Sequence, residues 1–98
     1  MYDFKKTVPY KNEGTYSYYD GGSEDTTTSY LVADVSLDNK VAQLLVYPTT
    51  DSSIKLNGSD KEIYLPANSW TPISVGTESF NVKALEEAGI VYWQGWYL

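Results

Sequence analysis

The closing stretch Gly89-Ile90-Val91-Tyr92-Trp93-Gln94-Gly95-Trp96-Tyr97-Leu98 constrains the fold more than any other part of the chain. Its β-branched and aromatic residues favour a strand, and side chains along a strand alternate between two faces. Ile90, Tyr92 and Gln94 then point one way and Val91 and Trp93 the other, with Gly95 a candidate bulge ahead of Trp96. Neither face is polar, so both need cover. One cover is the core of the domain; the other is a second layer, an N-terminal arm or another chain.

From Tyr30 onward the same period of two recurs. Leu31, Ala33, Val35 and Leu37 alternate with Val32, Asp34 and Ser36, and Asp38-Asn39-Lys40 reads as a tight hairpin connection into an interior strand, Val41 to Tyr47. Ile54 and Leu56 mark the next strand. Asn57-Gly58 is a favoured turn dipeptide because both residues tolerate positive φ. Beyond it Ile63 and Leu65 face inward while Glu62 and Tyr64 face out. Trp70 to Val75 contains Pro72, which argues for an edge position or a kink. Phe80, Val82 and Ala84 alternate with Ser79, Asn81 and Lys83. No helical pattern exceeds about one turn, the best being Leu85 to Gly89. About seven short strands divided by turns predict an all-β antiparallel sandwich, jelly-roll-like or Ig-like.

Composition separates residues 1–29 from a sandwich domain over 30–98. The first part carries Tyr2, Phe4, Tyr10, Tyr16, Tyr18 and Tyr19, and Val8 is its only branched aliphatic residue. Aromatic anchors without an aliphatic core predict an arm that lies along something already folded, so these six residues are candidate protein-interface residues. Thr15 to Tyr19 is a candidate short strand. Asp20 to Ser29, rich in Gly, Ser, Thr and acids, reads as a linker.

The net charge of -6, with no histidine and all seven basic residues lysine, argues against nucleic acid as a partner. No apolar run has the length of a membrane span, and the first residues lack the apolar core of a signal peptide. With no histidine and no cysteine, the common triads and thiol nucleophiles are missing. The acids sit mostly in turns. A non-enzyme without cofactor or metal is therefore expected. Asp20, Glu24 and Asp25 do not match the spacing of a calcium loop, and Asn57-Gly58-Ser59 reads as a hairpin turn rather than a glycosylation site. Trp93, mid-strand between apolar neighbours, is expected in the core. Trp96 and Tyr97, near the chain end, are expected at the surface as further interface candidates; with Trp70 they form the candidate platform of a carbohydrate-binding module, the alternative reading.

Residues 53–97 carry a second signal. The order Ser53-Ile54-Lys55-Leu56-Asn57, Glu62-Ile63-Tyr64-Leu65-Pro66-Ala67, Trp70-Thr71-Pro72-Ile73-Ser74-Val75, Ser79-Phe80-Asn81-Val82-Lys83-Ala84 and Val91-Tyr92-Trp93-Gln94-Gly95-Trp96-Tyr97 resembles the small β-sandwich accessory proteins of tailed-bacteriophage virions. Such proteins serve as capsid decoration, neck or fibre-attachment components. The resemblance implies a structural, non-catalytic role on a virion, after synthesis in the host cytoplasm. It implies major capsid or neck and tail proteins as partners, together with copies of the chain itself in a closed homo-oligomer such as a trimer, and neither nucleic acid nor membrane.

Overall fold

The computed structural model describes residues 18–97, and these form eight strands and no helix. The strands are β1 (Tyr18–Thr26), β2 (Val35–Val41), β3 (Gln43–Pro48), β4 (Ser52–Leu56), β5 (Ile63–Leu65), β6 (Thr71–Ile73), β7 (Thr77–Ala84) and β8 (Gly89–Tyr97). They build a front sheet in the order β1-β8-β3-β6 and a back sheet in the order β2-β7-β4-β5. Every pairing is antiparallel.

The order follows from one long ribbon. β1 pairs with β8, β2 with β7, β3 with β6 and β4 with β5, so the first half of the chain runs against the second and turns at the β4–β5 connection. Curling that ribbon brings β8 beside β3 and β7 beside β4, which closes two four-stranded sheets. This is the strand order of a jelly roll, and of the two expected sandwich types it excludes the Ig-like one.

Alternation along the strands fills the space between the sheets. Leu44, Val46, Ile73, Val91 and Trp93 come from the front; Val41, Ile54, Leu65, Phe80, Val82 and Ala84 come from the back, and all are buried. Each large side chain so removed from water contributes about 1.5–3 kcal/mol. β7 holds the expected alternation best, with Phe80, Val82 and Ala84 all at 0% exposure. Pro72 lies in β6, an edge strand, where its missing N–H leaves no ladder bond unmade. Asn57 (φ 54°) and Gly58 (φ 74°) both take positive φ, and the turn closes with the Ser59 N–H donating to the Leu56 carbonyl at 2.8 Å.

Four expectations are corrected. Residues 20–26 are not linker but most of β1, paired in unbroken register with β8 from Tyr18↔Tyr97 to Thr26↔Gly89. The glycines there serve close approach: a Cβ on Gly22 would stand 3.1 Å from the indole of Trp93. Asp38-Asn39-Lys40 is not a hairpin but the continuation of β2, and the chain crosses from back sheet to front at Ala42. Burial of both Val41 and Leu44 drives that crossing, since one faces the interior from each sheet. Gly95 is not a bulge; it faces Val41, and the β8 register runs through it unshifted on both sides. Finally, the strands number eight rather than about seven, because β1 is among them.

Candidate functional site

The strand register lines up aromatic residues across the outer face of the front sheet. Tyr92 of β8 pairs with Tyr47 of β3 on one side and with Ser23 of β1 on the other. Trp70 stands one residue ahead of Thr71, whose partner is Val46, so it falls beside Tyr47. The rings follow the backbone. Trp70 and Tyr47 have centroids 5.2 Å apart with planes tilted by 56°, and Tyr47 and Tyr92 lie 6.5 Å apart at 55°. Tyr92 is 43% and Trp70 39% exposed, while Tyr47 between them is half-buried. The half-buried Leu45 and Ile90 and the exposed Pro72 extend this face. Large, stiff rings partly in water are the side chains that dominate protein interfaces.

Of the expected site residues, Trp70 is exposed. Trp96 is not: it is 4% exposed. Nearness to the chain end is a poor guide here: the Trp96 backbone is paired on both sides, with Tyr19 and with Gln43. The platform of Trp70, Trp96 and Tyr97 is therefore not assembled; Trp70 is joined instead by Tyr47 and Tyr92. Trp93 is in the core, as expected from its position. Tyr18, Tyr19 and Tyr97 contribute backbone to the β1–β8 ladder, and Tyr2, Phe4, Tyr10 and Tyr16 lie outside the described residues. Tyr47 carried no signal in the sequence beyond its place at the end of an apolar run; only its cross-strand partner gives it a role.

The back sheet is covered differently. The β1–β2 connection passes over its outer face and is fastened at two points. The Tyr30 hydroxyl donates to Glu62 Oε1 at 2.7 Å and lies 3.0 Å from Ser53 Oγ, while the ring sits under Lys55 Nζ (4.2 Å) and Lys83 Nζ (4.9 Å). Asn81 of β7 brackets Leu31, its Oδ1 accepting from the Leu31 N–H at 2.7 Å and its Nδ2 donating to the Leu31 carbonyl at 3.0 Å. The Tyr30 hydrogen bond holds the Glu62 carboxyl below its ordinary value. Burial raises the Tyr30 hydroxyl above its own, against the opposing hydrogen bond from Ser53. This strap explains why Ser53, which alternates with the core residue Ile54 and so faces away from the core, is buried.

The edges of both sheets are blunted. β5 and β6 have three residues each and β6 contains Pro72; β1 carries Asp20, Glu24 and Asp25; β2 carries Asp38 and Lys40 and has a register shift. Such features disfavour pairing with a foreign strand. The row of Trp70, Tyr47 and Tyr92 is the aromatic surface that the front face offers instead. Alternation also puts Asp25 on the opposite side of β1 from Asp20 and Glu24, which separates the three carboxylates once considered together. The chain matches no family model, no curated protein and no solved structure.

Proposed function

We propose that this protein is a non-enzymatic structural component of a larger assembly, an accessory protein of a tailed-phage virion, which attaches to other virion proteins through the outer face of its front sheet. The observation that carries the reading is the row Tyr92, Tyr47 and Trp70, partly in water across β8, β3 and the entry to β6. Blunted edges support attachment by a face, and the resemblance over residues 53–97 supports the virion setting. A small domain with one modest contact face gains hold by being present in many copies, each adding its contact to those of its neighbours. A homo-oligomer such as a trimer supplies that multiplicity, and sedimentation at low micromolar concentration measures it.

The test is incorporation. Particles purified by density gradient from cells making the full chain should contain it by mass spectrometry, and the Trp70→Ala/Tyr92→Ala variant should fold yet be lost from them. A folded variant incorporated as well as the parent overturns the role given to this face. Absence of the parent chain from particles overturns the virion reading.

Carbohydrate binding is the second reading, favoured by the close spacing of the three rings. Their tilts count against it, because planes inclined by 56° and 55° do not make one flat platform for successive sugar rings. Specific glycan-array binding that Tyr92→Ala removes is the result that prefers this reading.

A further inference from the structure

The lysines of the sandwich are sorted by sheet. Every lysine among the described residues belongs to the back sheet or to its β4–β5 connection: Lys40 in β2, Lys55 in β4, Lys61 in the connection and Lys83 in β7. The front sheet has no lysine, and of the acids on β1 Asp25 lies on its outer face while Asp20 and Glu24 alternate to the other. Asp25 stands opposite Ile90, two residues along β8 from Tyr92 and on the same outer face.

The aromatic row also runs into an acidic notch. β3 ends at Pro48, and the Thr49 N–H donates to the Ile90 carbonyl at 2.8 Å, two residues past the Tyr47–Tyr92 pair. Thr49 and Thr50 there line an open cavity of about 310 Å³ with Asp51, Glu86 and Glu87. The Thr50 hydroxyl donates to the Glu87 carbonyl at 2.8 Å and fixes that wall. Asp51 already accepts from the Ala67 N–H at 2.9 Å. The two ion pairs among the described residues, Lys40–Glu78 and Lys83–Glu62, use none of the three carboxylates. Among the described residues the outer front and its notch thus combine aromatic rings with Asp25, Asp51, Glu86 and Glu87 and hold no lysine.

We propose that the partner docked on the front face presents a cationic segment, with a lysine or arginine side chain in the notch beside Glu86 and Glu87 and further cationic or apolar side chains along Tyr92, Tyr47 and Trp70. This rests on the reading of the front face as the attachment surface and adds the chemistry of what it takes. Two interactions select such a segment. A cation over an aromatic face is attracted by the ring's negative π cloud, and charge-assisted hydrogen bonds to carboxylates are about twice as strong as neutral ones. Arginine satisfies both better than lysine, through its planar, weakly hydrated guanidinium. An anionic partner meets repulsion on this face, and a purely apolar one leaves the notch unused.

The test uses isotope-labelled full-length protein titrated with three capped peptides: hexa-arginine, hexa-lysine and hexa-glutamate. Hexa-arginine should shift the amide resonances of Tyr47, Thr49, Thr50, Glu86, Glu87 and Tyr92, hexa-lysine the same set more weakly, and hexa-glutamate none of them. Glu86→Gln/Glu87→Gln, two changes in an exposed loop, should weaken the hexa-arginine shifts at least fivefold at low salt. Shifts centred on Asp34, Asp60 or Glu62, in the connections beside the back sheet, would show attraction to net charge alone and overturn the proposal, as would equal response to hexa-glutamate. Incorporation into particles that Trp70→Ala/Tyr92→Ala abolishes but Glu86→Gln/Glu87→Gln leaves intact refutes the cationic partner while sparing the attachment face. Loss of neither refutes both.

Discussion

Phe80 and Trp93 meet edge to face across the sandwich, ring centroids 5.3 Å apart and planes at 74°, and so tie the centre of the back sheet to the centre of the front. Phe80 belongs to β7 and Trp93 to β8, strands consecutive in sequence but in different sheets. A ring edge on a ring face is a favoured geometry, worth about 0.5–1.5 kcal/mol beyond area burial.

Truncating Phe80 removes that contact and opens a cavity in the core, where Phe80 is fully buried. Phe80→Ala is expected to cost about 3–5 kcal/mol, a large fraction of the roughly 5–15 kcal/mol that holds a domain together. Urea unfolding followed by tryptophan fluorescence reads it directly. Phe80→Leu should cost clearly less, and equal losses for the two would show that the site does not depend on the volume of the ring.

Gly95 supplies a prediction of opposite kind. A Cβ there would lie 2.9 Å from Val41 Cγ1 and 3.2 Å from Val41 Cβ. Gly95→Ala should therefore destabilise by about 1–3 kcal/mol through overpacking. Val41→Ala removes the obstructing methyls and destabilises by itself through lost burial. The double variant should be more stable than the sum predicts, with a coupling of about 0.5–3 kcal/mol for residues in contact. Strict additivity in a denaturation cycle would mean that the alanine methyl finds space elsewhere.

Much of this fold is legible in the chain because the period of two is unbroken where both neighbours of a strand are present. Phe80, Val82 and Ala84 in β7 and Val91 and Trp93 in β8 are examples. What escaped were positions decided by a partner distant in sequence. Gly21 and Gly22 have a loop-like composition, yet their lack of a side chain is what lets β1 lie against Trp93. Ser53 has the pattern of an outward residue and is covered by Tyr30, twenty-three residues earlier. The candidate site was legible only at Trp70, since Tyr47 and Tyr92 become neighbours through the β3–β8 register, which no local pattern encodes.

The place of β1 can be tested by truncation. Removing residues 1–26 strips all nine paired positions from the flank of β8 and uncovers Trp93 beside Gly22. The shortened chain is expected to lose its cooperative thermal transition or to melt far below the full chain. A truncated protein with an unchanged melting temperature would restore the linker reading of residues 20–29.

Tyr30 and Glu62 give the strap a pH dependence. The Glu62 carboxyl titrates lower in the folded protein than in the unfolded chain. On acidification the unfolded state therefore takes up the proton first, and the contribution, present above the unfolded value, is lost as pH falls through the folded one. The Tyr30 hydroxyl is shifted the other way. Its contribution is full below the unfolded value and disappears as pH rises through the folded one. Tyr30→Phe deletes the hydroxyl that links them, so the variant should lose less stability than the parent between neutral pH and the carboxylate range. Melting curves at several pH values decide it: parallel curves for parent and variant would show that the Tyr30–Glu62 bond contributes nothing in solution.

The exposed row separates binding from folding. Tyr92 lies on an outer face, 43% in water, and touches Tyr47 at 6.5 Å without entering the core. A cross-strand pair of this kind is worth about 0.2–1 kcal/mol, so Tyr92→Ser should lower the melting temperature only slightly. Removing a central aromatic anchor from an interface typically costs about 2 kcal/mol or more, roughly a thirtyfold loss of affinity. The two effects should therefore part company, with near-parental stability and failed attachment in the same variant. A Tyr92→Ser protein that melts far below its parent would place this ring in the stabilising core instead, and would move the search for the contact surface away from the front sheet.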